Sequence, residues 1–428
     1  MAQLFKHAHL VCPERNISEA GWLAVENGVI TASSFEHKEH PDETGFSEII
    51  DCKGQILGPG FVDMRAQSSD PGAEHIETLD SLLTAATSHG ITSLAILPST
   101  EPVIDNAAMI DSIQLRAGRY NKGRLYCYGA ATKQMAGEQM AELGMMTQAG
   151  DIGFSTGNTT ISDSQMMRRL MTYAKMFDRP VMHHCEDPAL SDAIDMNEGE
   201  TATRLGLIGQ PAIAETIILQ RDIALARLTG VHYHASHISA ASSVDVIRQA
   251  KREGLSITAD TAPPYFMLNE ISVSGFDSAA KLNPPLRTED DRLAIIAALL
   301  DGTIDAIASD HMPIDPDEKA QPFSLASFGA SGLDVLVPMS LKLRQTHDMG
   351  WPHLFSLMSY RPAQILGLAG GKLGISAPAD LVMINPDSAY ILKSADFKSQ
   401  SRITPFEGTP CEGKVTGCWV GGKNQFQQ

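Results

Sequence analysis

Between residues 58 and 365, short apolar runs bounded by turn residues alternate with longer segments whose apolar positions recur every three or four residues. The short runs are ITSLAILPST (91–100), RLYCYGAAT (124–132), GDIGFST (150–156), RPVMHHCED (179–187), VHYHASHIS (231–239), LSITADTAPP (255–264) and IDAIASDHMP (304–313). Each reads as a buried strand. The segments between them, SLLTAATSHG, DSQMMRRLMTYAKMF, ETIILQRDIALARLTG, AASSVDVIRQAKREG and EDDRLAIIAALLDG, read as amphipathic helices. Alternation of this kind predicts a parallel sheet, and with GPGFVD (58–63) opening the series it predicts an α/β chain closed as a (β/α)8 barrel.

The two ends carry a different texture. HLVC, WLAVENGVITASS and EIIDCKGQILGPG near the N-terminus, and ADLVMINP and KVTGCWVGGK near the C-terminus, are β-type runs separated by turn signals. They predict a small β-sandwich built from residues 1–57 and 366–428, with the barrel occupying 58–365. The Gly-rich GLAGGKLG lacks the strand and helix context of a phosphate loop and reads as the turn into that terminal domain.

Charge and cysteine content narrow the function classes. Lys plus Arg total 33 against 51 Asp plus Glu, a formal charge of -18, so the surface repels phosphate backbones and nucleic acid is not an expected partner. No apolar run approaches the roughly 20 residues of a membrane helix, and the first residues do not form a secretory signal, so a cytoplasmic location is the expectation. The six cysteines form no C-x-x-C pair, which predicts free thiols.

In a (β/α)8 barrel the chemistry belongs at the C-terminal ends of the strands. The polar residues there are Asp63, His184, His237 and Asp310, the last followed by His311. Two histidines and an aspartate on separate strands are the skeleton of a hydrolase site in which a metal activates water. In GPGFVDMRAQ, positions 65 and 67 lie on the same face of a strand, so Arg65 and Gln67 are both delivered to that site.

These strand ends, with LGPGFVDM, LPSTEPVIDN, HHCEDP, KLNPPLRTEDDR, DGTIDAIASDHMP, PFSLASFGASGLD and PADLVMINP, resemble the dihydroorotases of the amidohydrolase superfamily from about Gly58 to the C-terminus. The resemblance implies zinc in active members. It places their paired metal-binding histidines on Arg65 and Gln67, their bridging carboxylate on Thr156, and their other metal-site residues on His184, His237 and Asp310. It places substrate-gripping residues on Ser69, Ser99 and Ile314, and keeps Asn283 at the barrel mouth. An arginine has no lone pair to offer a cation. The expectation is therefore a vestigial, metal-free pocket of Arg65, Gln67, Thr156, His184, His237 and Asp310, no catalytic residues and no cofactor.

On that reading the chain is an inactive homologue. The resemblance then implies a structural or assembly role toward the aspartate carbamoyltransferase catalytic chain in pyrimidine biosynthesis, as a homodimer. The alternative is an active amidohydrolase on a cyclic amide of dihydroorotate or hydantoin type with a reduced or absent metal site, for instance one zinc on His184 and His237 aided by His183 or His234. A third reading is a ligand-sensing pocket without turnover. Within the pocket, Arg65 is expected to replace the metal charge beside Asp310, with Gln67 and Thr156 filling hydrogen bonds around it. The competing expectation has Arg65 turned to solvent and Asp310 bonded to His311 or backbone.

Overall fold

The computed structural model describes residues 2–35 and 42–426. Strands Phe61–Ala66, Ile91–Ile96, Arg124–Cys127 with its continuation Gly129–Ala130, Phe154–Ser155, Val181–His184, Tyr233–Ser236, Ile257–Thr261 and Ala306–Ile307 pair in parallel in that order. The ring closes between its last and first strands through the parallel bridge Ala66↔His311, where the Gln67 amide donates to the His311 carbonyl at 2.7 Å. This is a (β/α)8 barrel. Closure sets residues 65–67 of the first strand beside 310–311 of the last, and thereby defines the mouth.

The helices pack outside because their apolar faces need cover. Ser164–Ala174 buries Met167, Leu170, Met171 and Ala174, a three-to-four spacing, and starts on Asp163, whose side chain accepts from the Gln165 and Met166 amides. Two of the longer helices lie beyond the sequence pattern, as do several short ones. Ala107–Tyr120 buries only Ile110, Ile113 and Ala117. Leu333–Thr346 is buried on nearly every side and holds Pro338.

Both chain ends contribute to one eight-stranded sheet that includes Ala2–Cys12, Ile17–Glu26, Ile56–Pro59, Leu381–Ile391 and Pro410–Val420. One face packs Phe5, Leu23, Leu57, Leu381 and Trp419, and alternation along the strands puts Leu4, Trp22 and Ala24 in a separate cluster. Ile56–Pro59 pairs with Leu381–Ile391 and passes through Gly60 into the first barrel strand, so the sheet feeds the barrel directly. Among the described residues no helix is long and apolar enough to cross a membrane.

Candidate active site at the barrel mouth

Arg65 extends from the first strand into the mouth and is 2 % exposed. Its Nε donates to Asp310 Oδ1 at 2.8 Å. Its Nη2 donates to Asn158 Oδ1 and lies 3.1 Å from His237 Nε2. A buried cation is tolerable only when its donors find partners, and this guanidinium spreads its fork over a carboxylate, an amide oxygen and an imidazole. The expectation that Gln67 and Thr156 bond the guanidinium is corrected. Gln67 reaches it only through Asn158, whose Nδ2 donates to Gln67 Oε1 at 3.5 Å, and Thr156 Oγ1 instead accepts from the His184 amide at 3.4 Å. The reason is reach: Asn158, in the loop after Phe154–Ser155, takes the place beside Nη2 first.

The two histidines form a chain with two carboxylates. His184 Nε2 is 3.2 Å from Glu186, His184 Nδ1 is 2.6 Å from His237 Nε2, and His237 Nδ1 is 3.1 Å from Asp310 Oδ2. The Tyr265 hydroxyl donates to the same Asp310 oxygen at 3.4 Å. Burial, with the charge of Arg65, brings His237 down to about 4 against the pull of Asp310, so it is neutral at neutral pH. Burial alone would raise the Asp310 carboxyl, but contact with His237 and Arg65 holds it well below the usual carboxylate range. With His237 neutral, the charge that keeps Asp310 ionised is that of Arg65. Glu186 is likewise brought to about 2, because its contacts with His184, Gln210 and Asn283 together outweigh burial.

The backbone is also unusual here. His237 has φ 38 and Asp310 φ 49, both in the left-handed region that costs side-chain-bearing residues energy. Each is held from outside. The His237 amide donates to Asp260 Oδ1 at 2.7 Å, and the turn at Asp310 is flanked by Ser309, whose amide and hydroxyl both bond Asp63. Gly332 packs so closely on this turn that a Cβ there would lie 2.1 Å from the Ser309 carbonyl oxygen. Burial pushes Asp63 up to about 6 despite those Ser309 bonds, and its oxygens, which also accept from the Arg65 amide, anchor the turn.

Of the remaining sequence candidates, Asn283 stays at the mouth, beside Glu186 and Asp310, and the others have partners of their own. Ser69 is buried and Ser99 Oγ contacts Met135 Sδ at 3.7 Å. Ile314 is buried, and Asn283 lines a cavity of about 20 Å³ with Asp310 and Met312, room for about one water. His311 turns away to Glu77, 3.7 Å from Nε2, so Asp310 does not bond it. His234 bonds Asp260 at 2.8 Å and His183 faces Asp222 at 2.7 Å, so neither joins His184 and His237. For His183 the cause is strand alternation, which points adjacent side chains to opposite faces. Asn158, Glu186, Asp260 and Tyr265 escaped the sequence reading. Glu186 carried a signal, since it stands two positions after His184.

Zinc does not fit this mouth. The His237 nitrogen that would face it is taken up by His184 and by the Arg65 guanidinium, and a fixed cation in the donor shell opposes a second one. A different group, His183, Cys185 and Asp222, sets one nitrogen, one sulfur and one oxygen within 4.8 Å of one another, all buried, a donor set that zinc accepts. Its atoms are engaged locally. The Tyr233 hydroxyl donates to Asp222 at 2.9 Å and lies 3.1 Å from Cys185 Sγ, and the Ile161 amide donates to His183 Nε2 at 3.1 Å.

A family model described as Dihydro-orotase-like matches residues 54–243. The dihydroorotase of Desulforapulum autotrophicum is 41% identical over 424 residues, 99% of each chain. That of Desulfotalea psychrophila is 42% identical over 376 residues, 88% of this chain and 89% of its own. Among solved structures, the L-hydantoinase (dihydropyrimidinase) of Arthrobacter aurescens superposes with a TM-score of 0.87 over 99% of this chain and 96% of its own, at 22% identity, a likeness of fold. The expectation of a catalytically inactive chain is therefore corrected. Relatives of several species at about 40% identity bear the name of an enzyme, and His183, Cys185 and Asp222 form a possible metal-binding group that the ligand count at the mouth had left out.

Proposed function

The chain belongs to the dihydroorotase family, and from that premise we propose that it is an amidohydrolase acting on the ring amide of a dihydroorotate- or hydantoin-type substrate, with Arg65 standing where the family uses a metal. The observation that carries this reading is the buried Arg65 cation, fixed by Asp310 at 2.8 Å between His237 and Asn158. The left-handed backbone at His237 and Asp310 supports it, because such strain persists where a structure over-determines it and concentrates at active sites.

The chemistry follows from those groups. Addition of water to a ring amide puts negative charge on the carbonyl oxygen, and a pre-positioned guanidinium shielded from solvent stabilises that charge. Asp310 and His237 are the proton-accepting groups in contact with the cation, His184 adjoins His237, and a proton from the attacking water passes into this chain. As the C–N bond breaks, the hydroxyl stays on carbon and a proton goes to the ring nitrogen, leaving a ureido acid. No cofactor is proposed at the mouth. The cavity beside Asp310 holds about one water, so substrate entry requires displacement of the segment bearing Met312 and Gly329–Gly332 that lines it.

The test is ring opening of dihydroorotate and of hydantoin by the full chain after exhaustive dialysis against a chelator. The expected result is turnover that survives chelation and falls about 100-fold in Arg65→Ala, the scale of losing one charge-stabilising group. No turnover of either compound, with or without added zinc, rejects the enzymatic reading. Turnover that appears only with zinc rejects the role of Arg65. On the resemblance alone, we also propose homodimer formation and association with aspartate carbamoyltransferase.

A further inference from the structure

A cleft of about 830 Å³ opens away from the barrel mouth, where the end of helix Leu79–Ser88, the start of helix Leu333–Thr346, the segment 390–402 and strand Pro410–Val420 meet. Its size lies within the range of small-ligand sites, about 300–1,000 Å³. Lys393, Lys398, Arg402 and Lys414 line it, a gathering of cations in a chain of net charge -18. The acidic residues on the same walls are Asp334 and Asp396, and His89 caps the helix end. Asp334 is fully buried and accepts from the Lys398 amide at 2.7 Å and the Ser399 amide at 3.4 Å, so its charge is already bound into the wall. Asp396 is the one exposed carboxylate among the lining residues.

The apolar side of the cleft is aromatic. Tyr390 and Phe426 are half-buried in its lining, and Lys414 Nζ lies 5.9 Å from the Tyr390 ring centroid. A ring face and cations thus stand side by side. Ser88, 7 % exposed, adds a buried hydroxyl in the wall with no hydrogen-bond partner, a polar group that a ligand atom would satisfy. The matching ligand carries an aromatic ring for Tyr390 or Phe426 and several negative charges for the lysines and Arg402. We propose that this cleft binds a nucleoside phosphate. An acidic peptide shares the charge, but a concave cleft with two rings and an unpartnered buried hydroxyl suits a compact aromatic ligand better than an extended chain.

The site is tested on the full chain by titration calorimetry with ATP, adenosine, inorganic tripolyphosphate and a polyglutamate peptide. Saturable ATP binding is expected, weakened about tenfold or more in Lys393→Glu/Lys414→Glu, and about tenfold in Phe426→Ala through lost stacking. Adenosine and tripolyphosphate should each bind at least tenfold more weakly than ATP. The melting temperature of Lys393→Glu/Lys414→Glu without ligand should match the unaltered chain, since both side chains are exposed, and Phe426→Ala, whose ring packs on the core, is compared at a temperature where it remains folded. ATP binding undiminished by charge reversal, tripolyphosphate binding as tightly as ATP, tighter binding of the acidic peptide, or no ATP binding at millimolar concentration would each overturn the proposal.

Discussion

Arg65 and Asp310 stand 245 positions apart in the chain and 2.8 Å apart in space, Nε to Oδ1. Asp310 gives its second oxygen to His237, so one carboxylate ties a cation from the first strand to an imidazole from the sixth. The guanidinium is 2 % exposed and Asp310 18 %, which places the pair where an unmatched charge is costly.

The cost of breaking that pair should be asymmetric. Arg65→Ala leaves Asp310 ionised without its cation, and the expected loss is about 3–5 kcal/mol in chemical denaturation. Arg65→Ala/Asp310→Asn removes both charges and should be more stable than the single variant. Equal losses from the single and double variants would show that the two residues are not coupled.

Geometry at Arg65 should matter as well as charge. Arg65→Lys keeps a cation but loses the fork that serves Asp310, Asn158 and His237 together. The expected outcome is a fall in kcat for dihydroorotate opening of about tenfold or more, with the fold retained by circular dichroism. A lysine variant with full kcat would reduce the role of Arg65 to simple charge.

Asp151 gives a pH signature independent of the mouth. It is fully buried, with Arg179 Nε 3.6 Å from its carboxylate, and burial pushes it up to about 7 against that charge. The folded state therefore binds this proton more tightly than the unfolded state. Its stabilising contribution is complete below the unfolded value near 4 and is lost as pH rises toward 7. Asp151→Asn should be close to neutral at pH 4 and should stabilise the chain at pH 8, by about 4 kcal/mol as an upper bound. Urea midpoints of both proteins at the two pH values check it, and a variant less stable than the parent at pH 8 would contradict it.

Association with aspartate carbamoyltransferase predicts a heavier species when the two purified proteins are mixed at micromolar concentration and sedimented. It also predicts a higher melting temperature for the carbamoyltransferase in the mixture, because binding to a folded state stabilises it by mass action. Two independent boundaries and unchanged melting would exclude the association.

The alternation of strands and helices from Gly58 onward was legible because it is written in local periodicity, and so was the delivery of Arg65 and Gln67 to one face, which needs only the two-residue repeat of a strand. Barrel closure then made Arg65 and Asp310 neighbours by topology. Helices Ala107–Tyr120 and Leu333–Thr346 were not read from the sequence, although the first buries Ile110, Ile113 and Ala117 at helical spacing; the second is buried on nearly every side and carries Pro338. Counting lost metal ligands led to the expectation of an inactive chain, because a motif records which donors are missing and not what fills the space they leave. Arg65 beside Asp310 was expected from topology, and tertiary structure alone decided what else surrounds it. The partners of the guanidinium, Asn158 in a loop and His237 just past another strand, are set by side-chain rotations that depend on contacts far apart in sequence. The cleft lined by Lys393, Lys414 and Tyr390 exists for the same reason: its walls come from segments more than three hundred residues apart, and no local pattern encodes the space between them.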